Sequence, residues 1–314
     1  MEVKTYFRRA TDLPREELFG PGHRLCAGCG PAIAVRLALK AIRKPVIVVN
    51  ATSCVEVAST PYPYTAWAVP WVHVLFENTA AVASGIVETL DKLVKEGRAE
   101  DADVIAIGGD GGTFDIGLQA LSGALERGHK FLYICLDNEA YMNTGIQRSG
   151  ATPRGAETTT SFAGKVIPGK LEYKKDLASI VVAHAVPYVA TASIGYWLDY
   201  VNKVRRALET DGPSFIHVLT PCQTGWRFDA SKTVEIGKLA VETKIFPLYE
   251  VINGVYRINV KPKSFKPIEE YLKLQGRFKH LFEPQNRHII DEIQQQVDAR
   301  WKRLLVLEEV SQRW

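Results

Sequence analysis

Four short runs of β-branched and aromatic residues, each with a polar or sulfur-bearing side chain at or near its end, constrain this chain more than any other feature. They are "PVIVVNATSC" (45–54), "DVIAIGGDGG" (103–112), "KFLYICLDN" (130–138) and "PSFIHVLTPC" (213–222), with "PYVATAS" (187–193) as a fifth. Apolar runs of this length, bounded by turn residues, predict strands buried on both faces. Helical patterns lie between them, over 31–42, about 80–96, 116–127 and 196–209. Strand and helix alternation predicts an α/β fold with a mostly parallel sheet and helices on both faces. Beyond Trp226 the pattern loosens through "KPKSFKP" (261–267) and ends in a helix near 286–309. The expected division is therefore an α/β domain over 1–235 that carries the chemistry. A C-terminal extension over 236–314 would pack on that domain or on a partner subunit.

Composition narrows the function classes. A net charge of +4 over 314 residues, with no long basic run, does not point to nucleic acid. The start, "MEVKTYFRRATDLPREELF", carries no apolar leader core, and no stretch reaches the roughly 18 apolar residues of a membrane span. A cytoplasmic protein with no membrane partner is expected, and in that compartment five cysteines favour metal binding or catalysis over disulfides.

Cys54, Asp110, Asn138 and Cys222 all fall at the C-terminal ends of predicted strands. In open α/β sheets the ligand crevice lies outside those ends, so four chemically capable residues are expected on one rim. "GGDGG" lets the backbone approach a ligand around the Asp110 carboxylate, and Asn138 follows 28 residues later, one helix and one strand on. Carboxylate and amide oxygens, completed by a backbone carbonyl and phosphate oxygens, suit an octahedral Mg²⁺. No G-x-G-x-x-G follows the first strand, which disfavours a dinucleotide site.

"GHRLCAGCG" sets Cys26 and Cys29 just before a helix beginning near Pro31, whose free N–H groups suit an anionic ligand. With Cys54 and Cys222 they make four thiols, the usual complement of an iron–sulfur cluster and also of structural zinc. A redox-active dithiol at Cys26 and Cys29 is the third reading, weakened because "EELFGPGHRL" before it reads as loop rather than strand. Cys135 sits inside a predicted strand and is expected to be a buried, inert thiol. His23 is expected to pack in its loop, and neither His73 nor His217 has a distinguishing context.

The Gly-Asp-Gly and Asn spacing resembles the thiamine-diphosphate motif of thiamine-dependent enzymes. Carried over by position, Gly109, Asp110, Gly111, Asn138 and the Ala140 carbonyl would bind the cofactor, with Asp110, Asn138 and Ala140 on Mg²⁺. More widely, "GHRLCAGCGPAIAVRLALKA", "VVNATSCVEV", "GDGGTFDIGLQALSGALERGH", "DNEAYMNTGIQRSGATP" and "GPSFIHVLTPCQTGWRFD" resemble the thiamine-binding β subunits of 2-oxoacid:ferredoxin oxidoreductases, the pyruvate type most of all. The resemblance implies that Cys26, Cys29, Cys54 and Cys222 hold a [4Fe–4S] cluster and that Asn143, against the cofactor, faces the substrate above the thiazolium. It implies cleavage of a small 2-oxoacid beside its carbonyl, release of CO₂ and electron transfer through the cluster to ferredoxin, with coenzyme A taking the acyl group. The family draws the glutamate that activates thiamine from a partner subunit, so Glu56 and Glu77 are expected to be structural and the chain inactive alone. Ferredoxin-like cysteine runs for further clusters are absent from the sequence and would lie on other subunits. Arg154, where pyruvate-type relatives look to carry an uncharged residue, would suit a second substrate carboxylate. That points to oxalate, used without coenzyme A by a close branch of the family. The rival reading is a non-redox thiamine-dependent decarboxylase or synthase with a Cys₄ zinc site.

Overall fold

A computed structural model describes residues 4–313. In chain order its principal elements are α1 (Gly30–Lys40), β1 (Val46–Ala51), α2 (Cys54–Ser59), β2 (Trp71–Val74), α3 (Thr79–Lys95), β3 (Asp103–Gly109), α4 (Leu118–Glu126), β4 (Leu132–Asp137), α5 (Leu177–Val182) and β5 (Tyr188–Ser193). They continue with α6 (Trp197–Glu209), β6 (Ser214–Leu219), α7 (Gln223–Trp226), α8 (Thr233–Glu242), β7 (Tyr249–Ile252), β8 (Val255–Ile258), α9 (Ile268–Leu272) and α10 (Arg287–Ser311). The strands form one sheet in the order β2-β1-β3-β4-β6-β5-β7-β8. The first six are parallel and β7 and β8 are antiparallel, so the expected α/β class holds.

The β-branched runs become central strands because both faces are covered. β3, β4, β5 and β6 are buried almost throughout. On one face, Val35 and Leu39 of α1 and Val201 and Val204 of α6 pack over Ile105, Ile134 and Ile216. On the other, Val87 of α3, Leu121 of α4 and Leu177 of α5 pack over Ala106, Tyr133 and Phe215. The alternation along each strand sends neighbouring residues to opposite layers, as a two-fold pleat requires.

The segment after 236 joins the same body. β7 pairs antiparallel with β5, β8 closes the edge, and α10 packs on β8, where Leu304 joins the apolar layer that includes Tyr249, Val251 and Ile258. A third apolar cluster joins α8, α9 and α10 to Trp226 and Leu219 at the C-terminal ends of the strands. The four-residue strands β2, β7 and β8 are too short to leave a period-two signature, which is why the sequence pattern did not disclose them. Between β3 and α4 the chain makes a π-helical turn, Gly111–Ile116, where a helix beginning at Ile116 was expected. Wide turns of this kind open the backbone and are frequent at functional sites.

Candidate active site

The parallel order puts the ends of β1, β3, β4 and β6 on one rim. Gly109, Asp110, Gly111, Asn138, Ala140 and Asn143 line a single cleft there. Cys54 and Tyr141 are also part of its wall. Gly111 lies so close under the Tyr141 ring that a Cβ would stand 2.3 Å from it. The Tyr141 hydroxyl donates to the Gly111 carbonyl at 2.9 Å, tying the β3 end to the loop after β4.

Asp110 is buried, and its Oδ2 accepts from the Ser149 hydroxyl at 2.5 Å. Burial, followed by the nearby Asp137 carboxylate, pushes its pKa well above the ordinary aspartate value. The Asn138 side chain stands 2.9 Å from the Ala140 carbonyl oxygen and 3.0 Å from Asp110 Oδ1. With the amide nitrogen on that side, it donates to both. With the amide oxygen there, three oxygens face one another, an arrangement that a hard cation between them would stabilise. The donor set thus fits Mg²⁺, whose charge would also relieve the buried Asp110 carboxylate.

The four cysteines lie close enough to act on one another electrostatically. Cys29 caps the N-terminus of α1, Cys54 opens α2 and Cys222 caps α7, accepting from the Gly225 N–H at 3.4 Å. Burial pushes the Cys29 thiol up to about 12, with Cys222, Cys54 and Cys26 each adding to the rise. Burial likewise raises Cys54 to about 11, with Cys222 adding to it, while the neighbouring Asn143 side chain favours the thiolate. Crowded thiols of this kind resist ionising together unless a positively charged centre draws them into coordination. Among the described residues, no three His, Cys, Asp or Glu side chains are already grouped as a ligand set for a metal ion. Cys135 is fully buried within β4 and does not line the cleft that Cys54 lines.

Arg154 lies elsewhere. Its Nε and Nη2 donate to Glu292 Oε2 of α10 at 3.0 and 2.6 Å, and Nη1 donates to the Leu171 carbonyl. It lines a separate cleft with Tyr173, Phe246 and Tyr271, so the structure does not bring it together with Asn143.

Beside the cleft lies an ionic network with little signature in the sequence. His217 Nε2 donates to Asp137 Oδ2 at 2.6 Å, and Lys174 donates to the same oxygen. Lys174 also donates to Glu139 Oε1 at 2.8 Å, and Arg277 Nη2 to Glu139 Oε2 at 2.5 Å. Burial opposes the Asp137 carboxylate, yet Lys174 and His217 outweigh it and hold its pKa at about 2. Burial equally opposes the Lys174 ammonium, and Asp137 with Glu139 reverses that and raises its pKa. The one legible signal was the pair of acids bracketing Asn138 in "LDNEAY"; nothing local marks Lys174 or Arg277 as their partners.

A parallel sheet with a Gly-Asp-Gly turn and an Asn at adjoining strand ends defines a thiamine-diphosphate-binding domain. In agreement, the thiamine pyrophosphate enzyme C-terminal TPP-binding domain family matches residues 51–218. The chain is 58% identical over 295 residues to pyruvate synthase subunit PorB of Methanocaldococcus jannaschii, covering 93% of this chain and 97% of that one. It is 54% identical to the PorB subunit of Thermotoga maritima (92% of each chain) and 48% identical to ketoisovalerate oxidoreductase subunit VorB of Pyrococcus abyssi (99% of each). The chain belongs to the thiamine-diphosphate-binding β subunits of the 2-oxoacid:ferredoxin oxidoreductase family. The fold also resembles a solved 2-oxoglutarate:ferredoxin oxidoreductase from Magnetococcus marinus, with a TM-score of 0.54 at 18% identity over 76% of this chain and 84% of that one. Among the described residues, no helix is long and apolar enough to cross a membrane.

Proposed function

We propose that this chain is the β subunit of a pyruvate-type oxidoreductase, working in the cytoplasm within a hetero-oligomer that passes electrons to ferredoxin. The observation that carries the reading is the meeting of Asp110 Oδ1, the Asn138 side chain and the Ala140 carbonyl, within 3.0 Å, in the cleft that Cys54 also lines. In this reading those three groups hold Mg²⁺ against the diphosphate of thiamine diphosphate, while Gly109 and Gly111 leave room for the backbone to approach it. Thiamine diphosphate, when bound, supplies the nucleophilic carbon and electron sink needed to cleave a 2-oxoacid beside its carbonyl with loss of CO₂. Asn143, exposed at the cleft mouth next to Cys54, orients the substrate.

Cys26, Cys29, Cys54 and Cys222 would hold a [4Fe–4S] cluster. Their mutual proximity supports a four-thiolate set, and Cys54 on the cleft wall would bring an electron acceptor beside the chemistry. A zinc site in a non-redox decarboxylase gives that adjacency no purpose. Residues 1–235 would carry both groups, with 236–314 as the extension that braces them. Coenzyme A takes the acyl group, and a partner subunit supplies the glutamate that activates the cofactor. Pyruvate is favoured over oxalate because Arg154, the residue that pointed to a second carboxylate, is already paired with Glu292 in a different cleft.

The test is the whole complex, purified without oxygen. It should contain iron, acid-labile sulfide, thiamine diphosphate and Mg²⁺, and should reduce ferredoxin with pyruvate only when coenzyme A is present. Zinc in place of iron, or no thiamine diphosphate, would overturn the reading. Turnover of oxalate without coenzyme A would overturn the substrate assignment.

A further inference from the structure

Asn138 and Ala140 flank Glu139, and Glu139 is restrained at every polar atom. Its φ of +66° lies in the left-handed region that side-chain-bearing residues rarely adopt. Its N–H donates to Asp137 Oδ1 at 2.9 Å, and its carbonyl accepts from Thr152 Oγ1 at 2.7 Å. The carboxylate, only 4% exposed with its residue, accepts from Lys174 at 2.8 Å and from Arg277 Nη2 at 2.5 Å.

Arg277 is itself 2% exposed and comes from the C-terminal segment, 138 residues further along the chain. Its guanidinium carbon lies 3.9 Å over the centre of the Trp226 ring. Gln275 Oε1 accepts from its Nε at 2.9 Å and fixes the plane of the fork. Trp226 Nε1 donates to the Asn138 carbonyl at 2.7 Å. The contacts form a closed ring: Arg277 to Glu139, along the backbone to Asn138, across to Trp226, and back to Arg277. Lys174 already supplies a cation for Glu139, so charge alone does not explain Arg277. A flat guanidinium can bond a carboxylate while stacking on an indole, and an ammonium cannot do both with the same geometry.

We propose that Arg277 is a positioning residue for the cofactor turn. It holds the Glu139 side chain directly and the Asn138 carbonyl through Trp226, fixing the orientation of the Asn138 side chain and the Ala140 carbonyl toward Asp110. The proposal rests on the reading of those three groups as Mg²⁺ ligands. It assigns the extension a task at the site: Arg277 reaches back from beyond α9 to set the ligand geometry.

The test is Mg²⁺-dependent binding of thiamine diphosphate to the cofactor-depleted complex, measured by calorimetry. Absence of such binding in the wild type overturns the Mg²⁺ reading and the proposal with it. Given wild-type binding, Arg277→Met is expected to weaken it by about 10- to 100-fold, the usual effect of removing a partner that orients a metal ligand. Arg277→Lys should recover part of the loss, and Trp226→Phe, which keeps the ring but removes the N–H, should show a loss of its own. In each variant the apparent KM for thiamine diphosphate rises, while kcat at saturating cofactor and iron content stay within twofold. Binding within twofold of wild type in Arg277→Met overturns the proposal, as does loss of iron in parallel with cofactor affinity. If Arg277→Met fails to assemble, Arg277→Lys and Trp226→Phe decide by the same readout.

Discussion

Gly30 meets the backbone of Pro221: a Cβ on Gly30 would stand 2.5 Å from the Pro221 carbonyl oxygen and 2.7 Å from the Thr220 carbonyl carbon. This contact seats the start of α1 against the end of β6, and so brings Cys29 beside Cys222. Gly28, at φ +71° and equally close to the Ala230 carbonyl, seats the other side of the same loop. The glycines around Cys26 and Cys29 therefore serve as spacers that bring the ligand loop down onto the rim.

Gly30→Ala is expected to force those two backbones apart, because neither neighbour is a side chain that can swing away. Overpacking of this kind costs about 1–3 kcal/mol. In the anaerobically purified complex the variant should lose iron while retaining thiamine diphosphate. Full iron content would show that Cys29 and Cys222 do not depend on this contact.

The cysteines should divide four to one. Serine at Cys26, Cys29, Cys54 or Cys222 is expected to reduce iron and sulfide content sharply, since the four thiols act electrostatically on one another. Cys135, fully buried among Tyr133, Phe215 and Leu121, should accept alanine at a cost of about 1 kcal/mol with iron content unchanged. Chemical iron analysis of both sets gives the answer, and loss of iron in Cys135→Ala would contradict the assignment.

Acid should unlock the network beside the cleft. Asp137 has its pKa lowered from 3.8 to about 2, chiefly by Lys174 and His217 against the cost of burial. A carboxylate depressed in the folded state contributes stability that is fully present above about pH 4 and is lost as pH falls through about 2. Asp137→Asn should remove that acid dependence and cost about 3 kcal/mol at neutral pH, because Lys174 and His217 lose their shared acceptor. Urea unfolding of the isolated chain or complex across pH 2–6 measures both effects. A variant with the wild-type acid profile would rule out Asp137 as the source.

Arg154→Met is expected to leave kcat/KM for pyruvate within twofold of wild type. Its guanidinium serves Glu292 and stacks 5.3 Å from the centre of the Tyr173 ring, away from Asn143. The pair is partly exposed, so its loss should cost no more than about 1 kcal/mol in a thermal or urea melt. A selective collapse of turnover would return Arg154 to the active site.

The sequence by itself determined the parallel core, because burial on both faces demands continuous apolar runs and those runs are local. It also determined the rim: a residue at the end of a strand is at the end of that strand whatever lies beside it. Asp110, Asn138, Cys54 and Cys222 were legible for that reason, and the glycines marked where backbones must approach. Tertiary structure alone decided the partners. Glu139 and Arg277 are 138 residues apart, as are Arg154 and Glu292. No periodicity or propensity relates positions at that distance; only the folding of the C-terminal segment against the strand ends does. His217 illustrates the difference. Within β6 it is one more residue of an apolar run, and only the parallel pairing of β6 with β4 sets it against Asp137.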